Sequence, residues 1–296
     1  MNDSTTRDRE NMMQVAGAVI LYKPDEQVIK NILTYGRQLP RLYLIDNSPE
    51  PSPGADLSPL TMLENVRYKS MHGNQGIAAA LNESLRLARQ EGYSHVMTMD
   101  QDSQLSGDQL RVYLQTAADV IRKEPSVGAI GIKNSREKEQ FQDAPAWQHA
   151  TELITSGMLI DVAKAQAVGN FIDELFIDFV DFEFCYRLHR HGFSCVKINS
   201  ACLQHQVGSD PPPPPKRIFR MEIKSHNIHS PLRFYYEYRN SLYVMRHYPE
   251  VAGRVLLNRV KMTIKLLLVE RNKWNKIRYA LRGIYDAVRG RYGKKT

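Results

Sequence analysis

Only three of the 296 residues are cysteine, Cys185, Cys195 and Cys202, an odd number with no C-x-x-C spacing. A disulfide framework is thereby excluded, and a reducing cytosol suits the chain better than an oxidising compartment. Long apolar runs are missing too. The longest in the C-terminal part covers only residues 266–269, against the ~20 apolar residues that span a bilayer. Residues 1–14 are polar and mixed in charge, with no stretch of signal-peptide type. The expectation is a soluble or peripheral protein. No internal repeat, helix-turn-helix, zinc spacing or RNP-type aromatic motif is present, so a nucleic-acid-binding reading has only charge to support it.

That charge is unevenly placed. The net value is +8, yet residues 251–296 hold thirteen Lys and Arg against Glu270 and Asp286, a local +11 that leaves −3 for everything before. A mildly acidic body with a strongly basic tail calls for a separate account of the tail.

The body reads as alternating strands and helices. Residues 15–22, Val-Ala-Gly-Ala-Val-Ile-Leu-Tyr, are a continuous apolar run of the buried parallel type, followed by a helical pattern through Val28, Ile29, Ile32 and Leu33. A second buried strand over 42–45 ends at Asp46-Asn47-Ser48-Pro49, a turn signal. A short strand is predicted at 66–68, a helix over 77–90, and a strand over 95–99 that stops at Asp100-Gln101-Asp102-Ser103. Further on, helices are predicted at 110–123 and 181–191, and strands at 127–132, 154–160 and 194–198. Residues 211–215 are all proline, a semi-rigid punctuation mark before a helical, basic remainder. Such alternation predicts an α/β doubly wound, mostly parallel sheet, whose ligands gather at the carboxyl ends of its strands. Tyr22, Asp46, Asp100 and Asp102 stand at such ends and together sketch a nucleotide site.

Three stretches carry candidate chemistry. Asp100 and Asp102, two residues apart after an apolar strand, can hold a divalent cation and a ribose hydroxyl; Mg²⁺ and Mn²⁺ favour such hard oxygens and share them with substrate phosphates. A lone D-x-D is more often a solvated turn, and the strand-end position is what favours the site. In residues 74–82, Gly76 and three alanines allow close approach at a helix start that Asn74 can cap, although an alanine-rich packed helix has the same look. In residues 176–188, Asp178, Asp181 and Glu183 lie among aromatics, where carboxylates are costly unless paired or working. Glu183 and Arg187 are spaced for an i, i+4 salt bridge. Asp178 and Asp181 have no evident local partner, and either suits the general base for a sugar hydroxyl. Asp181 could equally be a helix cap.

The ordered set of these elements resembles the GT-A-fold glycosyltransferases of family 2, and most nearly their bacterial rhamnosyltransferase branch. The resemblance runs over about residues 14–245. It includes 19–24, 44–48, 74–82, 100–103, Thr155-Ser156-Gly157, 176–187, His205-Gln206-Val207-Gly208 and Tyr235 to Asn240. It implies a Rossmann-like sheet with a helical basic appendix, divided into a flexible N-terminus at 1–13, a glycosyltransferase domain at 14–245 and a basic helical region at 246–296. It also implies that Tyr22, Asp46, Asn74, Gly76, Asp100 and Arg239 serve the donor. Asp46 would accept from the pyrimidine N3–H, Asp100 would touch the ribose, and Arg239 would neutralise diphosphate. Asp102 would hold Mg²⁺ or Mn²⁺, with His205 as an additional metal ligand or a phosphate contact. Ser156, Gly157 and Glu183 would lie on the acceptor side, with Asp181 as base and Asp178 in reserve. For His205 an ordinary loop histidine, and for Arg239 an aromatic helix face packed on the body, are competing readings. Many members carry a second acid directly before the base, where this chain has Val180; the rhamnosyltransferase branch tolerates the change.

The implied activity is inverting transfer of L-rhamnose from dTDP-rhamnose to a lipid-linked or cell-surface polysaccharide precursor, such as an O-antigen or capsule. A UDP-sugar donor is the alternative. In the tail, Arg254, Asn258, Lys261 and Lys265 share one helical stripe, and Trp274 opens a second basic helix. Such helices suit an anionic membrane surface at the cytoplasmic face of the cell membrane. The other reading is a helical hairpin packed on the enzyme.

Overall fold

In the computed structural model the first apolar run becomes strand β1 (Val15–Leu21), buried almost throughout because both of its faces are covered. The structure describes residues 13–49, 54–135, 145–205, 216–218, 221–223, 230–269 and 273–295, with backbone alone at 205, 216–218, 221–223 and 269. Residues 1–12 and the proline run at 211–215 lie outside them. By contact the chain divides into two compact units, Met1–Phe171 with Phe184–Val207, and Ile172–Glu183 with Gly208–Thr296.

The first unit is built on a nine-stranded sheet. Strands β2 (Leu42–Asp46), β3 (Val66–Ser70) and β4 (His95–Asp100) run parallel to β1 in the order β3-β2-β1-β4. The sheet continues through β8 (Met158–Asp161), antiparallel to β4 and to β6 (Val127–Asn134), and then through β9 (Ser194–His205), parallel to β6. Short strands β5 (Ser103–Gln104) and β7 (Trp147–His149) pair antiparallel with β9. The expected α/β class with a mostly parallel sheet is what forms.

The helices between strands carry their stop and start signals. Asp25 caps α1 (Glu26–Leu33) by accepting from Val28 N–H at 3.0 Å, and α2 (Ser58–Thr61) is a single turn. Helix α3 (Ile77–Gln90) is followed by α4 (Gly107–Lys123), which begins three residues before the predicted start because Ser106 caps it. Helices α5 (Val162–Ala167) and α6 (Val180–Arg190) complete the set. Two strand predictions differ from the outcome. The strand expected at 154–160 forms only from Met158, since Gly157 adopts φ +76 and a Cβ there would meet Ile132 Cγ2 at 2.3 Å. The strand expected to stop at 198 runs on to His205, passing a register shift opposite Ile132 and Lys133.

The second unit holds the turn Asp173–Leu175, the antiparallel pair β10 (Lys216–Ile218) and β11 (Met221–Ile223), and three helices: α7 (Pro231–His247), α8 (Pro249–Val269) and α9 (Lys273–Val288). Ser230 caps α7 and Pro231 takes its first position. Phe234 and Tyr238 of α7 pack with Leu266 and Ala280. Helix α9 crosses α7 so closely that a Cβ on Gly283 would lie 2.3 Å from the Tyr235 carbonyl oxygen. The basic tail is therefore helical, and one face of each tail helix is packed.

Candidate functional site

The parallel strands deliver their last residues to one edge of the first unit. Leu21, Asp46 and Ser70 are register partners across β1, β2 and β3, and Asp100 partners Ile20 on the other side. Asp46 is buried and held firmly: Oδ1 accepts from Ser48 N–H at 2.9 Å and Oδ2 from the Tyr68 hydroxyl at 2.8 Å. Each oxygen keeps a second lone pair for a further donor. Tyr22, directly after β1, is 43% exposed, as a residue that borders a ligand would be.

The Asp100-to-Asp102 turn is clasped to Tyr22 from both sides. Tyr22 N–H donates to Gln101 Oε1 at 2.8 Å, and Gln101 Nε2 donates back to the Tyr22 carbonyl at 3.2 Å. Asn31 of α1 donates to the Gln101 carbonyl at 3.1 Å. Beyond the turn, the Ser103 and Ser156 hydroxyls lie 2.6 Å apart, and Asp100 N–H donates to Ser156 Oγ at 3.4 Å. Ser156 thus buttresses the carboxylate turn. Gly157 N–H donates to Thr98 O at 2.8 Å, and its carbonyl accepts from buried Tyr113. Gln101 and Ser103 are the working parts of this turn that residue chemistry alone did not single out; a glutamine between two aspartates has no distinctive signature.

Two carboxylates two residues apart form a hard oxygen pair, the kind of set that Mg²⁺ or Mn²⁺ completes with substrate phosphates. Their joint field is visible on buried Tyr35, whose phenol is pushed well above its ordinary range by burial first, and then by the charges of Asp100 and Asp102. Among the described residues no group of three or more His, Cys, Asp or Glu forms a self-sufficient metal cage. His205 ends β9 directly opposite Ser103; its side chain lies outside the described residues, as do residues 206–208.

The segment at residues 74–82 differs from expectation in one detail. Gly76, at φ +90, occupies the N-cap of α3, and no side chain caps it. Asn74 instead accepts from Gly76 N–H at 3.0 Å through Oδ1, shaping the turn ahead of the helix. Asn47, after β2, accepts from Gln75 N–H at 2.7 Å and donates to Asn74 Oδ1 at 3.3 Å. The ends of β2 and the α3 loop are thereby one hydrogen-bonded piece. At the far side of this motif Asn82 exchanges two 2.9 Å bonds with the backbone of Phe171.

The acidic segment belongs largely to the second unit, and its backbone is strained. Phe176, Asp178 and Phe179 all have φ near +64, a region costly to residues with a Cβ. Phe176 centres a γ-turn, φ 64 and ψ −62, closed by Ile177 N–H on the Leu175 carbonyl at 2.7 Å. What holds this shape is the Arg239-Asn240 pair of α7. Asn240 Nδ2 lies 2.8 Å from each of the Leu175, Ile177 and Asp178 carbonyls. The Arg239 guanidinium donates to the carbonyls of Gly293, Glu174 and Leu175 and to Asn240 Oδ1. Arg239 is fully buried and packed by the rings of Tyr235, Tyr236 and Tyr292. Its expected role against diphosphate is corrected here: its donors are committed to protein carbonyls, and the aromatic packing reading describes it.

Asp178 pairs with Arg233, and a second ion pair, Glu237 with Arg259 at 2.9 Å, stands in the same unit. Burial and then the nearby Asp178 charge push Glu237 above the usual carboxylate range, while Arg259 opposes the shift. Glu183, expected on the acceptor side, is fully buried and accepts from the Tyr248 hydroxyl at 2.6 Å. Asp181 lies in the first turn of α6, partly exposed, with Oδ1 accepting from Phe182 N–H at 2.9 Å. It follows rather than supplies the N-cap position, because the helix already begins at Val180.

A test of the Asn240 contacts follows. Asn240→Ala costs about 1–3 kcal/mol in denaturant unfolding, the scale of buried carbonyls losing their donor. Asn240→Asp costs more, because a carboxylate would face three carbonyl oxygens. An aspartate variant more stable than the alanine variant would refute the triple contact.

Comparison with known proteins gives these arrangements a family. The model for glycosyl transferase family 2 matches residues 26–177, more than half of the chain. The dTDP-rhamnosyl transferase RfbF of Shigella flexneri is 26% identical over 248 residues, 78% of this chain and 81% of that protein. Among solved structures, S. aureus TarS 1-349 superposes with a TM-score of 0.58 at 15% identity, covering 93% of this chain and 81% of its own. The same portion in complex with UDP-GlcNAc gives 0.58 at 14% identity, over 93% of this chain and 82% of that one. GalNAc-T7 with UDP, GalNAc and Mn²⁺ gives 0.50 at 11% identity over 66% of this chain, which spans only 44% of its length. At such low identities the structural likenesses speak to fold alone, and the family rests on the sequence match. Together with the aspartate turn at the strand ends, that match shows that the chain belongs to glycosyl transferase family 2.

Proposed function

We propose that this glycosyltransferase moves L-rhamnose from dTDP-rhamnose onto a hydroxyl of a lipid-linked or cell-surface polysaccharide precursor, at the cytoplasmic face of the membrane. The observation that carries the reading is the Asp100–Asp102 turn and buried Asp46 at the carboxyl ends of the parallel strands on the two sides of β1. The likeness to a dTDP-rhamnosyl transferase over 78% of the chain supports this donor. A UDP-sugar is the second reading, favoured by the UDP-GlcNAc bound to a structural neighbour.

Each residue then has a task. Asp46 accepts the pyrimidine N3–H, Tyr22 borders the base, and Asp100 binds the ribose. Asn74 and Gly76 shape the loop beside the diphosphate, and Ser156 and Gly157 serve the acceptor side. Asp102, with His205, would hold Mg²⁺ or Mn²⁺, which when bound offsets the charge that develops on the departing diphosphate. Asp181 takes the proton of the acceptor hydroxyl as that oxygen bonds to the anomeric carbon. The bond from that carbon to the diphosphate breaks on the opposite face. One displacement inverts configuration and needs no protein nucleophile.

The test is a panel of nucleotide sugars scored by thermal stabilisation with and without Mn²⁺, followed by dTDP release. The expected result is stabilisation by dTDP-rhamnose and release of dTDP on addition of an acceptor extract. Turnover of UDP-sugars with none from dTDP-rhamnose would overturn the donor assignment and leave the family intact.

A further inference from the structure

The two tail helices each carry a second apolar face that the fold leaves open. Ten of the fifteen large hydrophobic side chains exposed among the described residues lie on α8 and α9. On α8 they are Leu256, Leu257, Val260, Ile264, Leu267 and Leu268, which at about 100° per residue span about 120° of the helix. The opposite side is the packed one, with Val251, Val255 and Leu266 buried and Arg259 paired to Glu237. On α9, Trp274, Leu281, Tyr285 and Val288 fall within about 60° of one another. Ala280, Gly283 and Ala287 are buried on the far side. An ordinary amphipathic helix has one apolar stripe facing the core. Here each helix has one facing the core and another facing outward.

Cations border both outward stripes. Arg254, Lys261 and Lys265 follow the α8 stripe along one edge, and Arg278, Arg282 and Arg289 follow that of α9. Arg282 of α9, with Arg291, Lys294 and Lys295 just past it, lines a polar cleft of about 190 Å³, in which the carboxylate of Asp286 is already bonded to the Tyr235 hydroxyl. No described helix is long and apolar enough to cross a membrane, so a lipid surface would take these helices lying in its plane.

We infer that the outward stripes of α8 and α9 dock the protein on an anionic lipid surface, with aliphatic side chains and Trp274 entering the acyl boundary and the flanking cations meeting headgroup phosphates. Charge complementarity selects this occupant. A second copy meeting the same face across a two-fold axis would set one strongly basic segment against its twin. A nucleic acid would satisfy the cations and leave the leucines wet. None of the stripe residues is among those assigned to the donor, so the test does not depend on which sugar is transferred.

The experiment is flotation of the full chain with phosphatidylcholine vesicles, with and without phosphatidylglycerol. Binding is expected only with the anionic lipid, falling as salt rises. Leu257→Gln with Ile264→Gln lowers the bound fraction more than about tenfold, the scale of two aliphatic side chains losing their burial. Helical content and donor-induced thermal stabilisation stay unchanged. Trp274→Gln with Leu281→Gln, on the other helix, provides an independent variant if the first fails to fold. Equal binding to neutral vesicles, or undiminished binding by a folded stripe variant, would overturn the inference. So would a dimer in sedimentation that the stripe substitutions dissociate, since a second copy would then be the occupant.

Discussion

Asp181→Asn lowers sugar transfer by about 10²–10⁴-fold, the usual cost of losing a general base, while donor affinity stays near wild type. The residue stands in the first turn of α6, where the helix N-terminus favours an ionised carboxylate, and one of its oxygens accepts the Phe182 amide. Asn keeps the size and that amide contact and removes only the proton acceptor. Donor binding is assigned to other carboxylates, so it provides the internal control. Asp178→Asn gives a different signature. Asp178 is bound to Arg233, so its neutralisation removes that ion pair and registers in unfolding before it registers in transfer. Glu183 is buried against Tyr248, and its substitution is expected to register in unfolding as well. If Asp178→Asn were inactive at full stability while Asp181→Asn still transferred sugar, the two roles would have to be exchanged.

Asp102→Asn removes metal-dependent donor binding and leaves the fold intact. The substitution keeps the Gln101 side chain that clasps the turn to Tyr22. It takes away one of the two hard oxygen groups that a divalent cation would share with the diphosphate. At a donor concentration about 100 times Kd, binding contributes about 2.7 kcal/mol to stability. A variant that cannot retain the cation loses the Mn²⁺-dependent share of that stabilisation in a thermal melt. Isothermal titration of Mn²⁺ with nucleotide diphosphate present checks the same point without turnover. Wild-type stabilisation and wild-type metal titration in Asp102→Asn would refute the assignment.

Several features of this protein are local enough to be read along the chain. A strand buried on both faces must be apolar, so the runs 15–22 and 42–45 announce themselves without any knowledge of their neighbours. A carboxylate directly after such a run must lie at a strand end, which is why Asp46, Asp100 and Asp102 stand out. Charge segregation is visible by counting. The caps Asp25 and Ser106 act within three residues of themselves. The limits of local reading show at Gly157, whose left-handed φ breaks the expected strand and whose missing Cβ leaves room for Ile132, a side chain 25 positions away in the chain.

Other features were decided only when distant segments met. Whether a buried arginine binds a phosphate or a carbonyl depends on what stands opposite it. For Arg239 those partners are Glu174, Leu175 and Gly293, more than fifty residues away on either side. Asn240 carries no mark in sequence, yet it gathers three carbonyls of a strained segment that its own helix does not contain. The tail shows the same division. Its amphipathic periodicity guarantees a helix with an apolar side. Packing of α9 on α7 consumes the small-residue face, through Gly283 against Tyr235, and leaves the large side chains facing outward. Sequence periodicity determines how many apolar faces a helix has, and only tertiary packing determines which of them is covered.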